Sequence, residues 1–265
     1  MGQAKWKRQH ATGERQLAGI LVTFFDDQAK RIVKALKDFD SITPSVVPQV
    51  FRPADEHALF MAAIEDQVVK MMATGAGTEV AIIAAHAPAE SKALDLAPFD
   101  LPQSVKDSIA AAFDELSEQE YWQAIQATTE QQLTTIIQGG IEEGLNGFYM
   151  RKRIQEALGD LSKVRAAAIA RTETTQAYNA GHQAAYDGLA ADGLISGKTW
   201  LAAPDQDTRE THAALDGVTV GPGEDFDVGG NPAPYPGHWG LPAEERVNCR
   251  CTTVAAFPEE DATIS

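Results

Sequence analysis

Cysteine is nearly absent from this sequence: Cys249 and Cys251 are the only two in 265 residues. One residue separates them, so in an extended segment both side chains point to the same side. A disulfide between them would be strained, because disulfide geometry is narrow. The pair is therefore expected to be two buried thiols or two ligands of one metal ion. Neither state needs an oxidising compartment, which favours a bacterial cytoplasm.

Long apolar runs and familiar catalytic motifs are also lacking. No run of 18 uncharged apolar residues occurs, so a membrane span is not expected. The first ten residues are polar and basic, with no apolar stretch behind them, so a secretion signal is not expected either. The chain has no Gly-x-Ser-x-Gly, His-Glu-x-x-His or Gly-rich phosphate loop. These absences argue against the common hydrolase, metalloprotease and nucleotide-binding classes.

Basic residues are few. The chain has 22 Lys and Arg against 38 Asp and Glu, a net charge of −16, whereas a protein that coats DNA needs the opposite sign. The first 15 residues are the exception, with Lys5, Lys7, Arg8 and Arg15. This segment predicts a basic flexible arm that could touch nucleic acid or an acidic partner. A solvated, disordered terminus is the alternative, as is usual for chain ends.

Apolar spacing predicts a helical first half and a mixed second half. Helices are expected at residues 17–39, 55–72, 104–116, 117–138, 146–158 and 161–189. Gly75 and Gly77 are expected to end the second of these helices. Strands are expected at residues 198–203, 218–220 and 247–256, with a short helix capped by Asp207. A loop rich in Pro and Gly covers residues 221–240.

This pattern predicts an α+β fold with four parts. Residues 1–15 form the basic arm, and residues 16–140 form a helical domain. Residues 141–257 form a smaller mixed domain that contains the Pro/Gly-rich loop. Residues 258–265 form an acidic tail.

The second half carries a series of short ordered motifs. They are Ala170-Arg171-Thr172-Glu173, Ala177-Tyr178-Asn179, Lys198 to Ala203, Asp205 to Arg209, Leu215-Asp216-Gly217, Pro236-Gly237-His238 and Asn248-Cys249-Arg250-Cys251. In this order and spacing they resemble the phage Mu F-like head-morphogenesis proteins, which are minor capsid proteins of tailed phages and prophages. The resemblance covers roughly residues 139–257.

The resemblance implies a structural role without catalysis or a required cofactor. A few copies would join the phage head during assembly in the host cytoplasm and remain in the head interior. The implied partners are the portal protein and, beyond it, the major capsid protein and packaged DNA. In relatives that carry a Cys-x-x-Cys motif before Leu-Asp-Gly, the resemblance also implies a structural zinc ion.

Four residues of this chain are candidate zinc ligands: His212, His238, Cys249 and Cys251. Two imidazoles and two thiols suit tetrahedral zinc. However, Arg209 and His212 occupy the positions of the Cys-x-x-Cys motif, and Arg209 cannot ligate. In the alternative interpretation the thiols pack as small apolar groups and His212 bonds Asp216. His238 would then lie on an exposed loop. A metal-pinned interaction module outside a phage is a third possible function.

A second set of residues predicts a buried polar network. Its members are Arg171, Glu173, Tyr178, Asn179, Asp205, Asp207 and Asp216. Arg171 is expected to bind one of the three aspartates through a two-pronged contact. The alternative is an ADP-ribosyltransferase-like enzyme that uses Arg171 and a late acid such as Glu245. Against it, no clear Glu-x-Glu precedes the end of the chain, and Arg171 lies in a predicted helix.

Overall fold

The computed structural model describes residues 3–86 and 101–258, apart from the side chains of residues 3–5. Within these ranges, long helices precede short helices and antiparallel strands, which confirms the predicted α+β class. The helices are α1 Gln3–Ala35, α2 Val47–Val50, α3 Pro53–His86, α4 Gln103–Ser117, α5 Glu120–Glu142, α6 Gly147–Leu189, α7 Glu210–Ala213 and α8 Ala243–Arg246. The strands are β1 Gly197–Leu201, β2 Thr219–Val220, β3 Phe226–Val228, β4 Asn231–Ala233 and β5 Thr252–Ala256.

The strands form two small antiparallel sheets. In the first, β1 lies between β2 and β5, with Thr199 opposite Thr219 on one side and opposite Val254 on the other. In the second, β3 pairs with β4, with Phe226 opposite Ala233. Lys198 and Trp200 share one face of β1, and both are fully buried. The alternation along β1 thus directs a lysine as well as a tryptophan into the interior.

The chain divides into two compact units, each built from separate segments. Unit 1 contains Met1–Gly13, Gln67–Leu116 and Arg171–Ser265, and unit 2 contains Glu14–Asp66 and Ser117–Ala170. The division predicted at residue 140 does not coincide with these units. Sequence order hides them, because α1, α3 and α6 each contribute one part to unit 1 and another part to unit 2.

Unit 2 is a helical assembly with an aliphatic and an aromatic core. Phe60 contacts Phe24 and Trp122, with ring centroids 5.2 and 5.5 Å away. Beside these rings, Glu56 accepts hydrogen bonds from Gln28 Nε2 at 3.0 Å and from Arg31 Nη2 at 2.6 Å. The aliphatic cluster contains Ala29, Ile32, Leu36, Ile42, Val46, Val47, Phe51, Leu133, Ile137, Met150, Ile154 and Leu158.

In unit 1, the helix α3 continues through Gly75 and Gly77 instead of ending there. A Cβ atom at Gly75 would lie 2.4 Å from the Tyr178 carbonyl oxygen, and one at Gly181 would lie 2.0 Å from the Met72 carbonyl oxygen. The glycines therefore allow α3 and α6 to approach backbone to backbone. The prediction of a helix end at Gly75 was wrong, because packing rather than a cap requires this glycine.

The helix α6 is one continuous helix of 43 residues, whereas the sequence predicted two helices separated near Gly159. A glycine inside a helix costs only about 1 kcal/mol relative to alanine. Flanking residues Leu158 and Ser162 are both buried, so packing on either side outweighs this cost.

The N-terminal residues are helical rather than a flexible arm. Trp6, His10 and Gly13 recur at helical spacing and form the covered face of α1 in unit 1. His10 Nε2 lies 2.8 Å from Thr175 Oγ1, and Tyr178 Oη donates to the Gln9 carbonyl at 3.1 Å. The acidic tail predicted after residue 258 lies outside the described residues.

Among the described residues, α3 is long and apolar enough to cross a membrane by length and composition alone. Half of its most apolar window is buried within the protein. Buried core helices pass the same test, so this result is weak evidence for a membrane span.

Candidate functional site

The second half of α6 presents buried polar side chains to the C-terminal segment of unit 1. Asn179 makes three contacts: its Nδ2 donates to the carbonyls of Pro236 and Cys251, each at 2.9 Å, and its Oδ1 accepts from Thr252 Oγ1 at 2.8 Å. Buried carbonyls need such donors, because an unpaired backbone group away from water costs free energy. Asn179 therefore fixes the Pro/Gly-rich loop and β5 to one helix.

Two threonines of the same helix hold the Asn-Cys-Arg-Cys motif. Thr172 Oγ1 accepts from the Asn248 backbone N–H at 3.1 Å, and Thr175 Oγ1 donates to the Cys249 carbonyl at 2.6 Å. Asn248 has φ of 60°, the left-handed region that asparagine tolerates better than most residues. This turn directs both cysteine side chains to the interior, where each is 2% exposed.

The turn brings the two thiols to one imidazole nitrogen. His212 Nδ1 lies 3.6 Å from Cys249 Sγ and 3.5 Å from Cys251 Sγ, and the three ligand atoms all lie within 4.8 Å of one another. The hydrogen bond from Cys249, and then that from His212, lowers the pKa of Cys251. The same contact with Cys251, together with burial, raises the pKa of Cys249. The thiolate form is therefore favoured at Cys251 and disfavoured at Cys249 in the absence of a cation.

A carboxylate lies on the other edge of the His212 ring. Glu245 Oε2 is 3.1 Å from His212 Nε2 and accepts from Thr211 Oγ1 at 2.9 Å. Glu245 Oε2 and His212 Nε2 are at hydrogen-bonding distance, but an N–H bond at Nε2 does not point directly at the carboxylate oxygen. Arg209 Nη2 donates to the Val247 carbonyl at 2.6 Å, which ties the segment before α7 to the segment after α8.

A family model described as Phage Mu protein F like protein matches residues 131–254. The match begins in α5 and ends in β5, so it contains the polar face of α6, His212 and both cysteines. Residues 131–254 are a Phage Mu F-like region. This confirms the family resemblance predicted from the sequence motifs.

The chain is also similar to one curated enzyme. The NAD(+)–arginine ADP-ribosyltransferase EFV of Enterococcus faecalis is 37% identical over 124 residues, which is 47% of this chain and 25% of that protein. The chain therefore spans about a quarter of the relative's length. No solved structure matches the chain.

The Mu F-like region brings three of the four predicted zinc ligands together, and His238 is elsewhere. The His238 ring packs against Tyr235 and Trp239, with centroids 4.9 and 4.0 Å away, and its Nδ1 accepts from the Gly240 N–H. Burial, aided by Lys198, lowers the pKa of His238 to about 4. The alternative bond from His212 to Asp216 is also not formed, since Asp216 accepts from the Ala202 N–H at 2.9 Å.

Three acids of the predicted polar network form ion pairs with arginines other than Arg171. Arg171 is exposed and directly precedes a stretch of α6, residues 172–186, in which every residue is buried. Glu173 instead pairs with Arg246 at 3.4 Å, and both side chains are buried. Asp205 and Asp207 pair with Arg250 at 2.8 and 3.4 Å. Glu173, Asp205 and Asp207 thus form ion pairs with Arg246 and Arg250, both of which lie late in the sequence.

The sequence patterns did not predict the contacts of Lys198, which is also a buried polar residue. Lys198 Nζ donates to Gln183 Oε1 at 2.8 Å, and Gln183 Nε2 donates to Asp187 and to the Pro222 carbonyl. Burial lowers the pKa of Lys198 to about 8. The alternation of Lys198 with Trp200 was the available signal for its inward position.

A second missed contact involves one acid of an apolar helix. Glu79 Oε1 lies 3.9 Å from His182 Nδ1, and Glu79 Oε2 accepts from the Ala255 N–H at 3.3 Å. Glu79 is fully buried, and it pairs with one backbone N–H on the outer edge of β5 within unit 1. Its signal in the sequence is weak: one acid directly before the apolar run of residues 80–85 in α3.

The predicted nucleic-acid residues lie on α1. Lys7, Arg8 and Arg15 are exposed on this helix. The side chain of Lys5 lies outside the described residues. Basic side chains are therefore available on α1, but on an ordered helix rather than on a flexible arm.

Proposed function

We propose that this protein is a minor structural component of a tailed-phage or prophage head. A few copies join the head during assembly in the host cytoplasm and stay in the head interior, at the portal vertex and near the packaged DNA. The Phage Mu F-like match supports the head-morphogenesis class. The portal protein is the proposed main partner, with the major capsid protein and DNA as further contacts.

One observation carries the structural role. Residues of the Mu F-like motifs hold the region together: Thr172 and Asn179, with Thr175 between them, are buried and bond the backbone around Cys249 and Cys251. Buried, satisfied polar groups of this kind specify one arrangement of the chain. Such an arrangement suits a rigid assembly component.

The test uses the phage or prophage that encodes the chain. Heads are purified from cells that carry a tagged copy and from cells in which the gene is deleted. The tagged protein is expected in mature heads at a few copies per particle by quantitative mass spectrometry, with density at the portal vertex by electron cryomicroscopy. Heads that lack the protein, together with normal head yield after deletion, would contradict the proposal.

The full-length chain is needed for a portal binding assay. A fragment cut at residue 140 would divide both compact units, because each takes segments from both sides of that position. The full chain mixed with purified portal protein is expected to elute as a complex in size-exclusion chromatography. Separate elution at micromolar concentration of both proteins would argue against the portal as partner.

An arginine ADP-ribosyltransferase is the second candidate, and the Enterococcus faecalis relative favours it. Two observations support the structural function instead. The match covers only a quarter of that relative, and Glu245 is engaged with Thr211 and His212. Labelled NAD⁺ incubated with the protein and an arginine-rich acceptor is expected to give no transfer. Transfer that is lost in Arg171→Lys or Glu245→Gln would establish the enzyme.

We also propose that His212, Cys249 and Cys251 hold one thiophilic divalent cation such as Zn²⁺. Thiolate and imidazole are the donors that zinc prefers, and three of them converge here. A bound ion would cross-link α7 to the Asn-Cys-Arg-Cys motif. Elemental analysis of protein purified without chelators is expected to give one zinc per chain, lost in Cys249→Ser. Less than a tenth of an equivalent in the wild type would return the thiols to an apolar packing role.

A further inference from the structure

The two nitrogens of His212 face different partners. Nδ1 faces the Cys249 and Cys251 sulfurs at 3.6 and 3.5 Å, whereas Nε2 faces the Glu245 carboxylate at 3.1 Å. The two nitrogens are on different edges of the ring, so an ion held by the thiols and Nδ1 is separated from Glu245 by the imidazole. Glu245 is accordingly placed as an outer partner of the histidine.

The position of Glu245 is itself fixed by the fold. It lies on α8, its side chain is 13% exposed, and its Oε2 accepts a hydrogen bond from Thr211, the residue before His212. The turn at Gly229 packs against this pair: a Cβ there would lie 2.9 Å from Thr211 Cγ2 and 3.4 Å from Glu245 Oε1. Gly229 has φ of 60°, so the turn needs glycine for both reasons.

The ring of His212 is held from a third side as well. Trp200 of β1 meets the imidazole edge to face, with centroids 5.4 Å apart and planes at 82°. His212 is 1% exposed, so the ring is enclosed by protein. The ring has an aromatic wall, two sulfurs and one carboxylate as its neighbours.

We propose that Glu245 is the positioning residue of the His212–Cys249–Cys251 metal site. Its carboxylate lies 3.1 Å from Nε2 and attracts the ring proton to that nitrogen, although the two atoms are not aligned as a straight hydrogen bond. This favours the tautomer with a free lone pair on Nδ1, the nitrogen that faces the thiols. A carboxylate behind a ligating imidazole also makes the ligand more basic, which strengthens its bond to a cation. Thr211 holds the carboxylate in place. This inference depends on the proposed metal site and goes beyond it, since Glu245 was predicted as an alternative catalytic acid.

The experiment compares metal binding by four forms of the full-length chain: wild type, Glu245→Gln, Glu245→Ala and Glu244→Gln. Glu244 is the exposed neighbour on the same short helix, so its variant removes the same charge without touching His212. Zinc affinity is measured by competition with a chromogenic chelator under reducing conditions. Cobalt absorption spectra report the ligand set independently of affinity.

Loss of the carboxylate is expected to weaken zinc binding by about 10–100-fold in Glu245→Ala, as for other outer-shell partners. Glu245→Gln keeps a hydrogen-bond acceptor without the charge, so a smaller loss is expected. Glu244→Gln should match the wild type. Cobalt spectra of the weakened variants should keep the sulfur-to-cobalt bands, because both thiolates remain.

Equal affinity in Glu245→Ala and wild type would overturn the positioning role while leaving the metal site intact. Absence of metal binding in the wild type would instead overturn the metal site. Nitrogen-15 spectra of the histidine rings give a second measurement on the zinc-loaded wild type. A proton on Nδ1 with metal on Nε2 would contradict the inference directly. Thr211→Val removes the supporting hydroxyl and should give an intermediate loss even if Glu245→Ala folds poorly.

Discussion

Burial changes abruptly between neighbouring residues of α6. Arg171 is exposed while its neighbours Thr172 and Glu173 are buried, so the ion pair with Glu173 belongs to Arg246. An ion pair buried on both sides depends on both partners, because removing one leaves the other as an uncompensated charge.

Arg246→Ala should therefore destabilise the protein by about 3–5 kcal/mol. The reason is that Glu173 would remain buried without its cation. Urea unfolding, followed by tryptophan fluorescence, measures the loss. Arg171→Ala is the matched control and should change the free energy of unfolding by less than about 1 kcal/mol, since exposed charges contribute little. Equal losses of unfolding free energy in both variants would show that the difference in burial between Arg246 and Arg171 does not set their contributions to stability.

His10 should make stability depend on pH. Burial, and then Arg171 and Arg250, lowers the pKa of His10 from 6.5 to about 4. Between these values the unfolded chain binds a proton that the folded chain does not, so the free energy of unfolding falls as the pH drops from 6.5 toward 4. His10 alone could account for up to about 3 kcal/mol of this fall. His182 and His238, whose pKa values are also lowered, add to it.

The contribution of His10 can be isolated with His10→Gln, which keeps a donor near Thr175 and cannot titrate in this range. Unfolding of both forms is measured from pH 4 to 8. The variant should lose less stability on acidification than the wild type. An identical pH profile for the two proteins would assign the effect to other groups.

At the scale of elements, α6 contributes residues to both units. Its first half supplies Met150, Ile154 and Leu158 to the aliphatic core of unit 2, and its second half supplies the polar side chains that bond the motif backbone in unit 1. The first half has one buried face, whereas residues 172–186 of the second half are buried on all sides. The two halves therefore have different patterns of apolar residues, and no single helical period describes all 43 residues.

Gly181→Ala should disrupt the packing of α3 on α6 in unit 1. The added Cβ would lie 2.0 Å from the Met72 carbonyl oxygen, so the helices must separate or shift. Overpacking of this kind costs about 1–3 kcal/mol and often more where backbone is the obstacle. Thermal unfolding by calorimetry measures the effect.

The control for this substitution is Gly159→Ala on the same helix. No atom lies within 4 Å of a Cβ at that position, so only the helix propensity changes. This variant should gain about 0.5–1 kcal/mol. A loss of stability in Gly159→Ala similar to that in Gly181→Ala would show that α6 tolerates no side chain at either glycine.

At the scale of the whole molecule, charge limits the partners. With a net charge of −16, the chain repels phosphates except near local basic groups. Lys7 and Arg8 form such a group on the exposed side of α1. The isolated protein should bind duplex DNA weakly at low salt and not measurably at physiological salt.

The double variant Lys7→Gln/Arg8→Gln should abolish the residual binding at low salt. Lys34→Gln/Lys37→Gln removes the same charge from exposed positions near the end of α1 and should have a smaller effect. Fluorescence anisotropy with a labelled duplex gives both affinities and the salt slope. Tight binding that persists at high salt would mean that the fold concentrates basic residues in a way the net charge does not reveal.

Local patterns in the sequence determined the α+β class, most helix positions and the family of residues 131–254. Apolar spacing and motif order are properties of short segments, so they can be recognised without a partner segment. The one-residue spacing of Cys249 and Cys251 likewise predicted that both thiols point one way.

Only the tertiary structure decided which residues meet. Gly75 allows a close helix contact instead of a helix end, and Trp6 and His10 hold the N-terminal segment as a helix. His212 reaches the thiols while His238 does not, and Glu245 lies behind the imidazole. These outcomes depend on contacts between segments far apart in the chain, whose geometry follows from packing and not from spacing along the sequence.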